Sequence, residues 1–300
     1  MTATSWLVIS LFIASSTCAA TLDSMVAANY PHELADFATR HHLKDDRQQT
    51  YAAITAGGAE FIVAAYSNGD IGAVSLLERT ATGLNVVSVM LKPVGTHPTI
   101  ELQDLDGDKQ PEVIAQFETA RGSGETWIYR IAGRGLHCIS PVDERGDTLL
   151  GLPDVVDFGR GNTLDLVDAD VEGRGDDTTV SYVDYALVDG TYVQAAAPDF
   201  YEIFYRGKAQ PKTASKRFDI AQSDVGKPFR LIVANGGQSG RDYRVAAGTI
   251  TLNGTVISPA SDFSESRGSW SVPISLQAEN TIVVRLEGKP NGRIAVAIVH

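Results

Sequence analysis

Short apolar runs separated by polar turn residues follow one another along most of this chain, which is the pattern of β-strands joined by turns. The runs at 60–66 and 71–77 flank Asn68-Gly69, and an Asn-Gly pair between apolar runs is a strong hairpin signal. Short strands joined by regularly spaced turns predict propeller-like blades over residues 50–195. Two blades are clear and a third is partial, whereas a closed propeller has about four or more. We therefore expect an incomplete propeller-like β-domain. Further runs of the same kind lie at 86–91 and 127–131.

Helical spacing occurs near the N-terminus, where Leu34, Phe37 and Ala38 fall on one side of a helix within 30–43. One short amphipathic helix is predicted there, ahead of the strands. The neighbouring His32-Glu33 pair lacks a second histidine four residues on, so the zinc-protease motif is not met.

The last third of the chain has a different pattern, with about seven short apolar runs punctuated by Asn-Gly turns. This pattern predicts a β-sandwich. The fold class is therefore all-β: a propeller-like β-domain with a short N-terminal helix over 21–207, then a sandwich over 213–300. The stretch 195–215, rich in alanine, proline and lysine, has the composition of a linker or domain edge.

Residues 1–20 resemble a secretory signal peptide, with an apolar core from Trp6 to Ala14 followed by small residues and a predicted cleavage near Ala19 or Ala20. Lipid attachment at Cys18 is the alternative, although the residues before it fit that signal poorly. The apolar run is too short for a transmembrane anchor. The expected location is secreted, periplasmic or on the cell surface.

Acidic residues outnumber basic ones, 37 against 25, which gives a formal net charge of −12. An acidic surface argues against nucleic acid, because binding to phosphates relies on lysine and arginine. Removal of the signal would leave Cys138 as the single cysteine, so no intramolecular disulfide is expected.

Some of the acidic excess lies in one loop, where acids occupy positions one, three, five and nine between two strand-like runs. Carboxylates this close repel one another unless a cation neutralises them. Ca²⁺, which takes about six to eight oxygens, is the usual occupant. We predict one Ca²⁺ ion, with Gly107 permitting the tight turn. The predicted ligands are the side chains of Asp104, Asp106, Asp108 and Glu112 and the main-chain carbonyl of Gln110.

The loop does not fit an EF-hand, because the sixth position is Lys109 and the twelfth is Ala115. A second acidic segment downstream has acids at the same four positions, with Arg174 at the carbonyl position. Glu172 is longer than the usual Asp or Asn, so this second site is expected to bind more weakly or to be empty. Its predicted ligands are Asp168, Asp170, Glu172, Arg174 and Asp176.

The segment 104–113 resembles the calcium-loop signature of FG-GAP and VCBS-type repeats, which occur in integrin-like β-propellers and in secreted bacterial proteins. The resemblance covers about residues 60–185. Segments 233–236, 244–254, 258–263 and 285–290 resemble a small sandwich module found beside repeats in bacterial surface proteins. These resemblances imply a metal-stabilised β-scaffold with an accessory or binding function.

The sequence contains neither a Gly-x-Ser-x-Gly nucleophile elbow nor a phosphate-binding loop. We therefore expect a secreted, calcium-binding, non-enzymatic protein of the binding or adhesion type. Its partner would be an unknown extracellular protein or carbohydrate. The alternative is a secreted carbohydrate-active or other hydrolytic enzyme on the same β-scaffold. A concave pocket with converging carboxylates outside the loops would favour that alternative.

Overall fold

The structure is a computed structural model that describes residues 16–41, 46–91, 93–118, 124–158, 163–172, 179–207, 212–236 and 243–300. The side chains of 16–21, 170–172 and 179–180 are not described. Two α-helices lie in the described part of the chain, α1 (Ser16–Ala28) and α2 (His32–Arg40). The first twelve strands are β1 (Arg47–Ala56), β2 (Ala59–Asn68), β3 (Ile71–Thr80), β4 (Gly83–Met90), β5 (Thr96–Gln103), β6 (Glu112–Glu118), β7 (Gly124–Ala132), β8 (Gly135–Cys138), β9 (Asp154–Val156), β10 (Asp165–Glu172), β11 (Thr179–Val188) and β12 (Thr191–Gln194). The remaining strands are β13 (Phe200–Tyr205), β14 (Lys212–Asp219), β15 (Phe229–Asn235), β16 (Ala247–Leu252), β17 (Thr255–Ser258), β18 (Ser269–Ile274), β19 (Glu279–Glu287) and β20 (Arg293–Val299).

The strands form five four-stranded antiparallel sheets, which confirms the predicted all-β class. The first three sheets are sequential meanders of β1–β4, β5–β8 and β9–β12, an arrangement consistent with propeller blades. The fourth sheet has the order β13-β20-β15-β18 and the fifth the order β14-β19-β16-β17. The strands of these two sheets do not follow one another in chain order, so neither sheet is a meander like the first three.

The described residues form two compact units. One holds those up to Glu101 together with Phe117, Glu118 and Ile131–His137; the other holds the rest. In the first unit, α1 and α2 pack on one face of the first sheet. Apolar side chains of both helices meet Ile62, Ala64 and Tyr66, and the Tyr66 hydroxyl donates to the Val26 carbonyl oxygen at 3.0 Å.

The predicted helix and hairpin at the N-terminus are both present. Leu34 and Ala38 of α2 are buried, as the helical spacing requires. The strands β2 and β3 pair in register from Phe61 to Asn68, and the turn falls at Gly69-Asp70, one residue later than the Asn-Gly signal. The helix α1 was not predicted, and it spans the predicted cleavage point near Ala19 or Ala20. None of the helices in the described residues is long and apolar enough to cross a membrane.

In the second unit, the fourth and fifth sheets enclose one apolar core that includes Phe204, Leu231, Ile250, Trp270 and Val296. Alternating burial along β16, where Gly248, Ile250 and Leu252 point inward, is the expected pattern for one face of a sandwich.

The stretch 195–215, which has the composition of a linker, contributes two strands to these sheets. The strand β13 pairs with β20 along its whole length, from Phe200 to Tyr205. Its apolar residues Phe200 and Phe204 belong to the sandwich core, so pairing and burial override the local composition. The domain limits at 207 and 213 remain predictions.

The outer face of the fourth sheet is also buried, because it packs against the third sheet. Val156 and Val167 of the third sheet share an apolar cluster with Tyr201, Ile232 and Ala297 of the fourth. The described residues between Cys138 and His300 accordingly belong to one compact unit.

Candidate metal centre

The acidic loop connects β5 to β6, which are neighbouring strands of the second sheet. Leu105 in its first half is fully buried in a cluster with Ile114, Ile128 and Leu166. The main-chain oxygen of Leu105 also accepts a hydrogen bond from the Leu164 nitrogen at 2.7 Å. Since one apolar residue is held in the core, the acids on either side of it are directed away from the core. The prediction of a loop joining two strands is confirmed.

Asp104, Asp106 and Asp108 converge, with one carboxylate oxygen of each lying within 4.8 Å of the other two. Among the described residues, this is the one group of three such side chains placed to hold a metal ion. Three carboxylates provide hard oxygen ligands, which suit Ca²⁺ rather than metals that prefer nitrogen or sulfur. The donor set therefore fits the predicted calcium, with further oxygens to come from the main chain or water.

Main-chain N–H groups of the same loop orient these carboxylates. Asp104 accepts hydrogen bonds from the nitrogens of Gly107 at 2.7 Å and Lys109 at 3.1 Å. Asp106 accepts one from the Asp108 nitrogen at 3.0 Å, and Asp108 accepts one from the Gln110 nitrogen at 2.6 Å. Loop closure requires left-handed backbone at Gly107, with φ of 78°, and at Lys109, with φ of 72°. The predicted role of Gly107 in the turn fits this conformation.

Glu112 lies outside the cluster of three aspartates. Its side chain is 1% exposed, and its Oε2 atom accepts a hydrogen bond from the Leu105 nitrogen at 2.8 Å. Burial raises the pKa of the Glu112 carboxyl, while this main-chain bond and Arg130 act in the opposite direction. Gln110 lies exposed in the loop, and the ligand roles of Glu112 and of the Gln110 carbonyl remain predictions.

Arg130, which the sequence pattern did not indicate, lies on β7 next to the loop. Its Nη2 atom is 2.5 Å from Oδ2 of Asp106, and its Nε atom is 3.2 Å from Oε1 of Glu112. The guanidinium group thus offsets part of the repulsion among the acids. No pattern around Arg130 itself indicated these contacts, because they depend on β7 lying beside β6 in the second sheet.

The second acidic segment has a different local structure, because its first five positions belong to the strand β10 rather than to a turn. Asp168 pairs with Val183 in the sheet register and is 7% exposed. Its carboxylate accepts hydrogen bonds from the nitrogens of Gly151 and Ala169, the latter at 2.9 Å. A strand places successive residues of one face about 7 Å apart, and this backbone geometry differs from the turn around Gly107.

The contacts of Asp168 do not test the other predicted ligands of this segment. Asp170 and Glu172 lie on β10, but their side chains are outside the described part of the structure. Arg174 and Asp176 lie outside the described residues altogether. A metal role for this second set stays a prediction.

Comparison of the sequence with protein-family models and with curated proteins gave no match. Among solved structures, the chain is similar to an exo-β-1,3-galactanase from Phanerochaete chrysosporium. The identity is 15%, the TM-score is 0.19, and the match covers 84% of this chain and 68% of that one. It is also similar to the M60 catalytic domain with two CBM51 domains from Clostridium perfringens ZmpB, at 8% identity and a TM-score of 0.24. That match covers 85% of this chain and 31% of the other. At TM-scores this low the superpositions define no shared fold.

Proposed function

We propose that this protein is a secreted calcium-binding protein whose work is binding rather than catalysis. In this proposal Ca²⁺ is structural and stabilises the loop between β5 and β6. The observation that supports it is the convergence of Asp104, Asp106 and Asp108 within 4.8 Å on a loop anchored by Leu105. The C-terminal sandwich would serve as a binding or assembly module for an extracellular protein or carbohydrate.

The metal part of the proposal is tested by titrating the chain with Ca²⁺ and following its Tm. An ion that binds only the folded state must raise the Tm as its concentration increases. Asp106→Ala should abolish most of that rise. Asp143→Ala is the matched control, because Asp143 also accepts main-chain hydrogen bonds within its own turn. A Tm that does not respond to Ca²⁺, or that rises equally in Asp106→Ala, would contradict the metal assignment.

The binding part of the proposal needs a separate measurement. The calcium-loaded chain is incubated with a panel of polysaccharides, and both retention on the polysaccharide and release of reducing ends are recorded. Retention without release is expected for a carbohydrate-binding protein. Release of reducing ends that increases with protein concentration would instead support the hydrolytic alternative.

A further inference from the structure

Arg130 is a cation that the chain itself places against the acidic loop. It contacts Asp106 and Glu112 with two different nitrogen atoms, and its side chain is 30% exposed. A Cβ atom built at Gly190, in the turn between β11 and β12, would lie 3.4 Å from its third nitrogen, Nη1. The guanidinium group is therefore bounded by the two acids on one side and by that turn on another.

Asp106 and Glu112 differ in whether their carboxylate oxygens remain available to a metal ion. Glu112 is almost fully buried, and each of its oxygens has a donor: the Leu105 nitrogen for Oε2 and Arg130 for Oε1. Asp106 is 16% exposed and belongs to the cluster of three aspartates, yet its Oδ2 atom is the one that Arg130 contacts. Arg130 and a metal ion would thus compete for the Asp106 carboxylate, while both Glu112 oxygens accept hydrogen bonds from the protein.

We propose that Arg130 sets the calcium affinity of the loop by competing for Asp106 and by keeping Glu112 out of the coordination sphere. This inference rests on the proposed function, because it concerns the same site. A site with three carboxylates and a neighbouring cation has a smaller negative charge than the four-carboxylate motif suggests. Charge count is one of the factors that tune calcium sites, and extracellular modules bind at about 0.1–1 mM. Arg130 should therefore make the loop bind Ca²⁺ more weakly than the same loop would without this cation.

The test measures the calcium dissociation constant by isothermal titration calorimetry, together with the calcium-free Tm, for several variants of the full chain. Arg130→Gln should bind Ca²⁺ about tenfold more tightly, because a positive charge next to the metal is lost. The same variant should have a lower calcium-free Tm, because Glu112 loses its buried partner. A purely structural role for Arg130 would lower the stability and the affinity together, so the opposite signs distinguish the two roles.

Three further variants complete the experiment. Arg130→Lys retains the charge and should stay close to the unmodified chain in affinity. Arg145→Gln removes the same charge from a turn in which Arg145 pairs with Asp143 and Asp147, and should leave the affinity unchanged. The double variant Arg130→Gln with Glu112→Gln avoids a stranded buried carboxylate, and so remains informative if Arg130→Gln does not fold. It should bind Ca²⁺ more tightly than the unmodified chain.

Each result separates this inference from the proposed function. If the unmodified chain binds Ca²⁺ and both Arg130 variants that lack the charge bind it no more tightly, the role of Arg130 is refuted and the calcium site stands. If Ca²⁺ binds only after Arg130 is replaced, the competition is supported and calcium binding by the unmodified chain is refuted. If neither the unmodified chain nor the Arg130 variants bind Ca²⁺, the proposed calcium site and the proposed role of Arg130 are both refuted. Weaker binding by the double variant would identify Glu112 as a ligand and overturn the inference.

Discussion

The hydroxyl of Tyr201 donates a 2.6 Å hydrogen bond to Oδ2 of Asp154, and this bond joins β13 of the fourth sheet to β9 of the third. Both residues are buried, at 7% and 4% exposure. The Nη2 atom of Arg293 lies 3.7 Å from the other oxygen of Asp154. Burial and the nearby Asp154 carboxylate raise the pKa of Tyr201 well above its usual value, so the hydroxyl remains a donor at all ordinary pH values. Polar groups of Tyr201, Asp154 and Arg293 thus lie beside the apolar cluster between the two sheets.

Tyr201→Phe should lower the free energy of unfolding by about 1.5–3 kcal/mol, because a buried carboxylate loses a donor. Urea denaturation provides the measurement. Tyr205→Phe is the control, since Tyr205 lies on the same strand and is 50% exposed, and it should change stability by less than about 0.5 kcal/mol. Equal losses in the two variants would show that the contact with Asp154 adds no stability of its own.

Asp108→Asn should weaken calcium binding by about tenfold, because one of three converging negative charges is lost. The asparagine oxygen can still accept the hydrogen bond that Asp108 receives from the Gln110 nitrogen. The calcium-free Tm should therefore be unchanged or slightly higher, since repulsion within the loop decreases. Calorimetric titration and thermal unfolding in a chelator check the two parts. An unchanged dissociation constant would remove Asp108 from the ligand set.

Asp168→Asn should change the pH dependence of stability. Burial is the main cause that raises the pKa of Asp168, although hydrogen bonds from the nitrogens of Gly151, Ala169 and Leu152 act against it. As pH rises from the ordinary value of 3.8 to the raised folded value, the unfolded chain loses this proton first. The Asp168 contribution to stability therefore decreases across that interval, and the asparagine variant lacks this decrease.

The measurement is the free energy of unfolding at a series of pH values from about 2 to 7. Asp224→Asn is a control of opposite sign, because the hydrogen bond from Lys227 lowers the pKa of Asp224. The stabilisation from Asp224 is present above its unfolded pKa and is lost as pH falls, so its removal should matter most at neutral pH. Parallel pH profiles for Asp168→Asn and the unmodified chain would contradict the burial argument.

Gly72→Ala should destabilise the first unit. A Cβ atom at this position would lie 2.4 Å from Cε1 of Phe117, whose ring is fully buried. Overpacking of this kind costs about 1–3 kcal/mol. The free energy of unfolding measures it, with Gly207→Ala as the control, because a Cβ atom there would have no atom within 4 Å. Wild-type stability in Gly72→Ala would mean that the Phe117 ring moves aside at little cost.

Local patterns were enough to predict much of the fold. The apolar runs on either side of Asn68-Gly69 located the hairpin β2–β3, whose strands are buried on both faces. Period-two alternation predicted the alternating burial of β16, because that strand buries one face and exposes the other. Acid spacing located the turn around Gly107, because Asp104, Asp106 and Asp108 form their hydrogen bonds within a few residues of themselves. The second acidic segment shows the limit of this argument, since the similar spacing around Asp168 lies on the strand β10.

The sequence by itself determined the all-β class and the three aspartates that converge, because both depend on interactions between residues close in the chain. Only the tertiary structure decided that Arg130 lies against Asp106 and Glu112. It also decided that β13 joins the sandwich and that Tyr201 reaches Asp154. The Arg130 contacts depend on β7 lying beside β6 in one sheet, whereas the other two join strands far apart in sequence. In each case the partners are chosen by the packing of whole strands and sheets, which no local pattern encodes.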